Sequence, residues 1–145
     1  MVLNGTTMYG GGALTTVTSY QSDGTTVSTV HDRNHIAALN TTVVPPADVA
    51  TAWNPDANAK VRTMLLSGSN LYVGGDFTTF NAGADTRNYI AAINPVSGIA
   101  TDWNPDADWT VRAMALSNTI LFIGGDFNRV DGQVHNRIAA LDTDT

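Results

Sequence analysis

The sequence predicts an all-β fold made of a repeated unit, and its composition is the first reason. All thirteen acidic residues are Asp, and Lys occurs once, at Lys60. Glu and Lys usually fill the exposed faces of helices, whereas Asn, Asp and Gly favour turns and Thr favours strands. The chain contains twenty Thr, thirteen Asn and thirteen Gly. These counts indicate short strands joined by tight turns.

Internal repetition is the second reason, and it defines the architecture. Four motifs recur along the chain. They are Trp-Asn-Pro-Asp-Ala (residues 53–57 and 103–107), Val-Arg-x-Met (61–64 and 111–114), Leu-x-x-Gly-Gly-Asp-Phe (71–77 and 121–127, with a divergent copy at 8–13) and Asn-x-Ile-Ala-Ala (34–38, 88–92 and 136–140). Repeated order and spacing indicate a repeat architecture.

Each unit reads as four short strands. In unit two the first strand covers residues 61–66, the third covers 89–93, and the fourth ends at Trp103. The second strand begins at residue 71 and runs into Gly-Gly-Asp-Phe, where paired glycines indicate a bulge or a close backbone approach. Repeated four-stranded sheets of this length are typical of β-propeller blades. We therefore predict three blades of a β-propeller, partial or completed by oligomerisation, with a β-trefoil as the alternative.

The boundaries of the units follow from the motifs. One β-repeat region covers residues 1–145, with unit one at about 1–60, unit two at about 61–110 and an incomplete unit three at about 111–145. Unit one carries two insertions, at residues 14–33 and 43–49, and has Gly12-Ala13 in place of Asp-Phe.

The combination of Tyr-Val-Gly-Gly-Asp-Phe, Asn-x-Ile-Ala-Ala and Trp-Asn-Pro-x-Ala resembles the delta-60-type β-propeller repeats of large, mostly bacterial, secreted or surface proteins. The resemblance covers about residues 34–142. It implies a propeller fold and an extracellular or cell-surface location. It implies no particular activity, because that repeat family has none in common.

The phase of the repeat predicts the partners. Met1 aligns with Leu65 and Thr145 with Ser97, so the counterpart of residues 98–114 is missing. A propeller needs about four to eight blades to close, and unpaired blade edges invite another chain. We expect the partners to be other copies of this chain or flanking blades of a larger one.

Charge and composition exclude several classes of function. The net charge of -6 argues against nucleic acid, which requires clustered cations. No apolar run approaches the roughly 18 residues of a membrane span. The chain has no cysteine, and His31, His35 and His135 lack metal-ligand spacing. We therefore expect no catalytic residue and no metal site.

Two polar motifs have structural explanations. Asp76 and Asp126 in Gly-Gly-Asp-Phe are expected to cap local backbone amides beside a bulge. The Asn-Pro-Asp-Ala-Asp segment at residues 104–108 has the oxygen spacing of the start of a calcium loop. It lacks the glycine and the bidentate acid that complete such a loop. We expect no cofactor, with calcium as the open alternative.

The tryptophans divide into two groups. Trp53 and Trp103 hold the same position in the repeat, which predicts wedges between adjacent blades. Trp109 has Ala59 as its counterpart, so with Asp106 and Asp108 it is the candidate for a glycan contact. The sequence thus predicts a non-catalytic structural or protein-interaction module of an extracellular or cell-surface assembly. A carbohydrate-binding module is the alternative, and a fragment of a propeller hydrolase or lyase is the third.

Overall fold

The computed structural model describes residues 1–21, 23–44 and 47–144, and their fold is all-β. Three antiparallel three-stranded sheets follow one another along the chain. The first contains β1 (Val2–Asn4), β2 (Thr7–Gly11) and β5 (Ile36–Asn40); the second contains β6 (Val61–Ser67), β7 (Asn70–Gly75) and β10 (Ile90–Ile93); the third contains β11 (Val111–Ser117), β12 (Ile120–Gly125) and β15 (Ile138–Asp142). In each sheet the strand that is second in sequence lies in the middle.

Each sheet carries a two-stranded hairpin between its second and third strands. The hairpins pair β3 (Thr16–Tyr20) with β4 (Val27–Asp32), β8 (Thr79–Phe80) with β9 (Asp85–Thr86), and β13 (Arg129–Val130) with β14 (Gln133–Val134). A single 3-10 turn, Asn81–Gly83, joins β8 to β9. The insertion at residues 14–33 therefore contains one pair of strands, β3 and β4, and the shorter segment at residues 78–87 contains another, β8 and β9.

The fourth strand of each unit is much shorter than the sequence predicted. In the described residues it is reduced to single bridges, Leu39 with Ala50 and Ile93 with Ala100. The chain makes one more ladder bond, from the amide of Thr101 to the carbonyl of Ala92, and then leaves the sheet. It leaves there because Trp-Asn-Pro follows, and proline has no amide proton for a ladder.

The alignment of unit one is also corrected, by one residue. Val2 pairs with Tyr9 as Leu65 pairs with Tyr72, so Met1 matches Met64 and not Leu65. For the same reason Ala13 and not Gly12 holds the position of the Gly-Gly-Asp-Phe carboxylate. Three consecutive glycines, residues 10–12, made the register ambiguous in the sequence.

The bulge beside the paired glycines lies on the facing strand. The register shifts between Val61 and Thr63, opposite Gly75 and Gly74. Arg62 is therefore the extra residue of a β-bulge. A Cβ atom at Gly75 would overlap the carbonyl oxygen of Lys60, which explains why glycine is needed there. The third sheet repeats the shift between Val111 and Ala113.

The second sheet is buried on both faces, since it lies between the other two. One face packs with the first sheet and the other packs with the third. The first cluster joins Leu71, Val73, Ala91 and Ile93 to Tyr9, Ile36 and Ala38; the second joins Tyr72, Ile90 and Ala92 to Leu121, Ile123 and Ala139. The alternation along each strand assigns successive side chains to opposite clusters. The described residues form neither a closed barrel nor a closed ring.

Candidate functional site

The carboxylates of Gly-Gly-Asp-Phe bind arginine side chains. Arg62 donates from Nε and Nη2 to the two oxygens of Asp76, each at 2.7 Å. Thr110, the residue directly before β11 of the third sheet, donates to the same carboxylate at 3.0 Å. The hydrogen bonds from Arg62 lower the pKa of Asp76, although burial works in the opposite direction. Asp126 likewise accepts from Arg112, with Nε at 2.8 Å. The predicted capping of local amides is therefore replaced by ion pairs with the bulged arginines.

Phe77 and Phe127, which follow these carboxylates, are fully buried. Phe77 packs against Phe80 of its hairpin, with ring centroids 4.6 Å apart. Gly125 repeats the close approach of Gly75, because a Cβ there would overlap the carbonyl oxygen of Thr110. The whole segment thus anchors the hairpin and the bulge to the core.

The oxygens of the Asn-Pro-Asp segments hold neighbouring parts of the chain together. Asp106 has a positive φ of 50° and accepts from Asn88 Nδ2 at 2.7 Å. Asp108 Oδ1 accepts the backbone amides of Asn128 and Arg129 at 2.8 and 3.0 Å. These backbone bonds lower the pKa of Asp108. The described ranges contain no group of three or more His, Cys, Asp or Glu side chains placed to hold a metal ion.

Trp53 and Trp103 lie between consecutive sheets. The ring of Trp53 meets Tyr9 of the first sheet edge-on at 5.0 Å, and its Nε1 donates to the carbonyl of Asn94 in the second unit at 3.3 Å. Trp103 meets Tyr72 edge-on at 5.1 Å and donates to the carbonyl of Asp142 at 3.1 Å. Each indole therefore contacts one sheet through its ring and the next through its N–H.

Trp109 is placed differently. Its side chain is 57% exposed and stacks on Tyr89, with ring centroids 6.1 Å apart and an interplanar angle of 24°. Tyr89, but not Trp109, lines a cleft of about 390 Å³. It is lined by Asn88, Tyr89, Ala107, Arg129, Gly132 and the two predicted carboxylates, Asp106 and Asp108. The corresponding cleft of the preceding unit has His35 in place of Tyr89, and Ala59 holds the position of Trp109.

The structure also brings together Ser19, His31 and Asp48, a group that sequence reasoning missed. The buried Ser19 hydroxyl donates to Asp48 Oδ1 at 3.2 Å and accepts the amide of Val49. His31 Nε2 bonds the other carboxylate oxygen. Burial raises the pKa of Asp48, but the bonds from His31, the Ala50 amide and Ser19 outweigh it and leave that pKa lowered.

This arrangement does not activate the serine. In a hydrolytic triad the histidine accepts the proton of the serine, whereas here both Ser19 and His31 bond to the carboxylate. The group instead fixes the β3–β4 hairpin to the segment that follows β5. Its members are separated by 12 and 17 positions along the chain, and only the folded hairpin brings them together.

Comparison with known proteins adds no family. No family model, curated protein or solved structure matches the chain. Within the described residues, no helix has the length and apolar character needed to cross a bilayer.

Proposed function

We propose that this chain is a non-catalytic structural or protein-interaction module, that its sheets are blades of a β-propeller, and that it works at the cell surface or outside the cell. One observation carries the proposal. Polar side chains at equivalent positions make equivalent internal contacts in successive units, so they serve the assembly of the sheets.

The Asn–Asp pairs illustrate this equivalence. Asn34 donates to Asp56 at 2.6 Å, and Asn88 donates to Asp106 at 2.7 Å. Arg33 and Arg87 likewise donate to the carbonyls of Thr51 and Thr101, both at 2.6 Å. A catalytic group requires a distinct environment, since its pKa must be matched to its reaction. Groups with the same contacts in each unit fit a structural role better.

The hairpins supply the surface that differs between units. The three hairpins occupy corresponding positions, because a backbone hydrogen bond closes the base of each one at an equivalent place. These bonds run from the amide of Arg33 to the carbonyl of Thr15, from Arg87 to Thr78 and from His135 to Asn128. The lengths of the hairpins differ widely, and the first is the longest. Variable loops on a rigid scaffold are the usual place for recognition. The resemblance to repeats of large surface proteins supports the proposed location.

The polar network can be tested with matched Asp substitutions. Asp76→Asn removes the charge of a carboxylate that holds Arg62 and Thr110, whereas Asp102→Asn changes an exposed carboxylate. We expect Asp76→Asn to lower the Tm by several degrees and Asp102→Asn to leave it unchanged. Both variants and the parent are then assayed on polysaccharide and ester substrates. Turnover that Asp76→Asn abolishes without changing the Tm would favour an enzyme.

The Trp109–Tyr89 stack supports a carbohydrate-binding module as the second candidate. An exposed aromatic face beside carboxylates and an arginine offers a ring platform with polar partners, the usual composition of a specific small-molecule site. A glycan array tests it with Trp109→Ala and, as a control, Tyr20→Ala, an exposed aromatic on the first hairpin. Binding should be lost in the first variant alone. A parent chain that binds no glycan removes this candidate.

A further inference from the structure

The positive charges of this acidic chain are unevenly distributed. Three arginines and two aspartates form one connected group of ion pairs, which we call the arginine row: Arg62, Asp76, Arg112, Asp126 and Arg137. The row has a net charge of +1, whereas the rest of the chain has four cations and eleven aspartates, a net charge of -7. The row is therefore a local cationic surface on an anionic protein.

The row is continuous from the second sheet to the third. The hydrogen bonds from Arg112 lower the pKa of Asp126 against the opposing effect of burial, and the charges of Arg137 and Arg62 lower it further. Asp76 has its pKa lowered by Arg62 and, through charge alone, by Arg112. Each carboxylate is thus affected by arginines from both sheets, so the five side chains act as one electrostatic unit.

Arg137 is the member of the row with free donors. Its side chain is 64% exposed, and Nη1 lies 3.6 Å from Oδ1 of Asp126, which is too long for a hydrogen bond. Asp126 already accepts two hydrogen bonds from Arg112. Among the described residues, no other carboxylate lies within ion-pair distance of Arg137. A guanidinium has five N–H donors, so most of them are available to a partner.

The side chain at position 137 is not required by the fold of the unit. The same position of the Asn-x-Ile motif holds His35 in unit one and Tyr89 in unit two, and the φ values of His35, Tyr89 and Arg137 are 63°, 65° and 72°. This left-handed conformation disfavours large side chains and would suit glycine or asparagine. The backbone is thus the same in each unit while the side chain differs, as expected of a recognition position.

The charges indicate the chemistry of the partner. An arginine fork matches a carboxylate, with which it forms two parallel hydrogen bonds. Arg112 is 51% exposed and adds a second positive charge beside Arg137. At physiological salt, charges act over about 8 Å, so the row attracts an anion that reaches it. A long polyanion would extend from the row onto the acidic remainder of the chain and be repelled there. A short segment with a few carboxylates avoids that repulsion.

We propose that the arginine row binds an acidic peptide segment of a partner protein, with Arg137 donating hydrogen bonds to one of its carboxylates. The inference rests on the proposed function, a protein-interaction module, and names the chemistry of the partner. It is independent of whether the sheets close into a ring and of whether the module binds a glycan.

The test measures binding of fluorescein-labelled hexaglutamate to the whole chain by fluorescence anisotropy. Arg137→Gln should raise the Kd by about fivefold, since an exposed ion pair contributes up to about that factor. Arg137→Lys keeps the charge at the same backbone position and should retain most of the affinity. The circular dichroism spectra of both variants should match that of the parent.

Asp126→Asn tests the row in the opposite direction. It removes the carboxylate that competes for Arg112 and Arg137, so it should lower the Kd by about threefold or more. A damaged fold would weaken binding, so a gain of affinity separates the two effects. Asp131→Asn, in the turn between β13 and β14, makes the same change in net charge and is the control that should leave the Kd unchanged.

Three results would overturn the proposal. They are a parent chain that does not bind hexaglutamate, an Arg137→Gln variant with the Kd of the parent, and equal gains of affinity in Asp126→Asn and Asp131→Asn. Dextran sulfate that binds more tightly than hexaglutamate and requires Arg137 would show a sulfated polymer as the ligand instead. Failure to bind the peptide leaves the expected effect of Asp76→Asn on the Tm intact, so it is distinguishable from failure of the proposed function, which turnover would reveal.

Discussion

Gly74→Ala is expected to destabilise the junction between the second and third sheets. The new methyl group would lie 2.7 Å from Cγ1 of Val111 and 2.9 Å from Cγ2 of Thr63. Both contacts are shorter than real Cβ contacts, so Val111 of the third sheet and Thr63 of the same sheet must both move away. Overpacking of this kind costs about 1–3 kcal/mol. For a chain of this length each kcal/mol corresponds to roughly 3 °C, so the Tm should fall by about 3–9 °C.

Gly124→Ala is the matched control, at the equivalent position of the third sheet. Its methyl group would meet only the carbonyl oxygen of Arg137, at 3.8 Å. Replacing glycine by alanine without strain stabilises a protein by about 0.4–1 kcal/mol, because the unfolded chain loses freedom. We expect its Tm to stay the same or to rise slightly.

Denaturant unfolding followed by circular dichroism measures both variants. Combining Gly74→Ala with Val111→Ala measures how much of the lost stability comes from the junction, because Val111→Ala removes the Cγ atoms that the new methyl group meets. The double variant should lose less stability than the sum of the single variants. Equal losses in Gly74→Ala and Gly124→Ala would refute the reasoning, because they would show that glycine serves the strand itself and not the neighbour.

Three further predictions follow from the same contacts. Trp53→Ala should lower the stability by about 3–5 kcal/mol, since it removes a buried indole, whereas Trp109→Ala should change the Tm little; equal effects in thermal melts would contradict the assignment of the two positions. Millimolar calcium should leave the Tm unchanged, because the oxygens of Asp106 and Asp108 already accept protein hydrogen bonds, and a rise of several degrees would show a calcium site. The pKa of Asp76 in the folded protein is lowered. Its contribution to the free energy of unfolding should therefore be complete above the ordinary Asp pKa of about 4, and it should be lost as the pH falls through the lowered pKa of the folded protein. Unfolding curves of the parent and Asp76→Asn between pH 6 and pH 2.5 should converge at the acid end.

The strands of unit two were largely predictable from the sequence because short-range patterns define them. The predicted strands at 61–66 and 89–93 correspond to Val61–Ser67 and Ile90–Ile93. The prediction of the fourth strand was wrong because the conformation of this segment depends on the tertiary packing of Trp103 and on the missing amide proton of Pro105. The indole packs between two sheets, and proline ends the ladder, so an apolar segment that resembles a strand contributes only one bridge.

The candidate site was less predictable, because its contacts join residues far apart in sequence. The role of Asp76 depends on Arg62 being the extra residue of a bulge, which aims its guanidinium at the carboxylate, and on Thr110, which directly precedes β11. Neither follows from the Gly-Gly-Asp-Phe motif alone. The Ser19–His31–Asp48 group similarly requires the register of the first hairpin, which lies within a Thr- and Ser-rich segment without alternation.

The repetition of contacts separates the structural residues from the candidates for recognition. A side chain that holds two units together is needed at each junction, so its contacts recur, as those of Trp53 and Trp103 do. A side chain that binds an outside partner has no such reason to recur. Trp109 does not recur, since the preceding unit has Ala59 at its position, and its exposed ring stacks on Tyr89 instead of filling a junction.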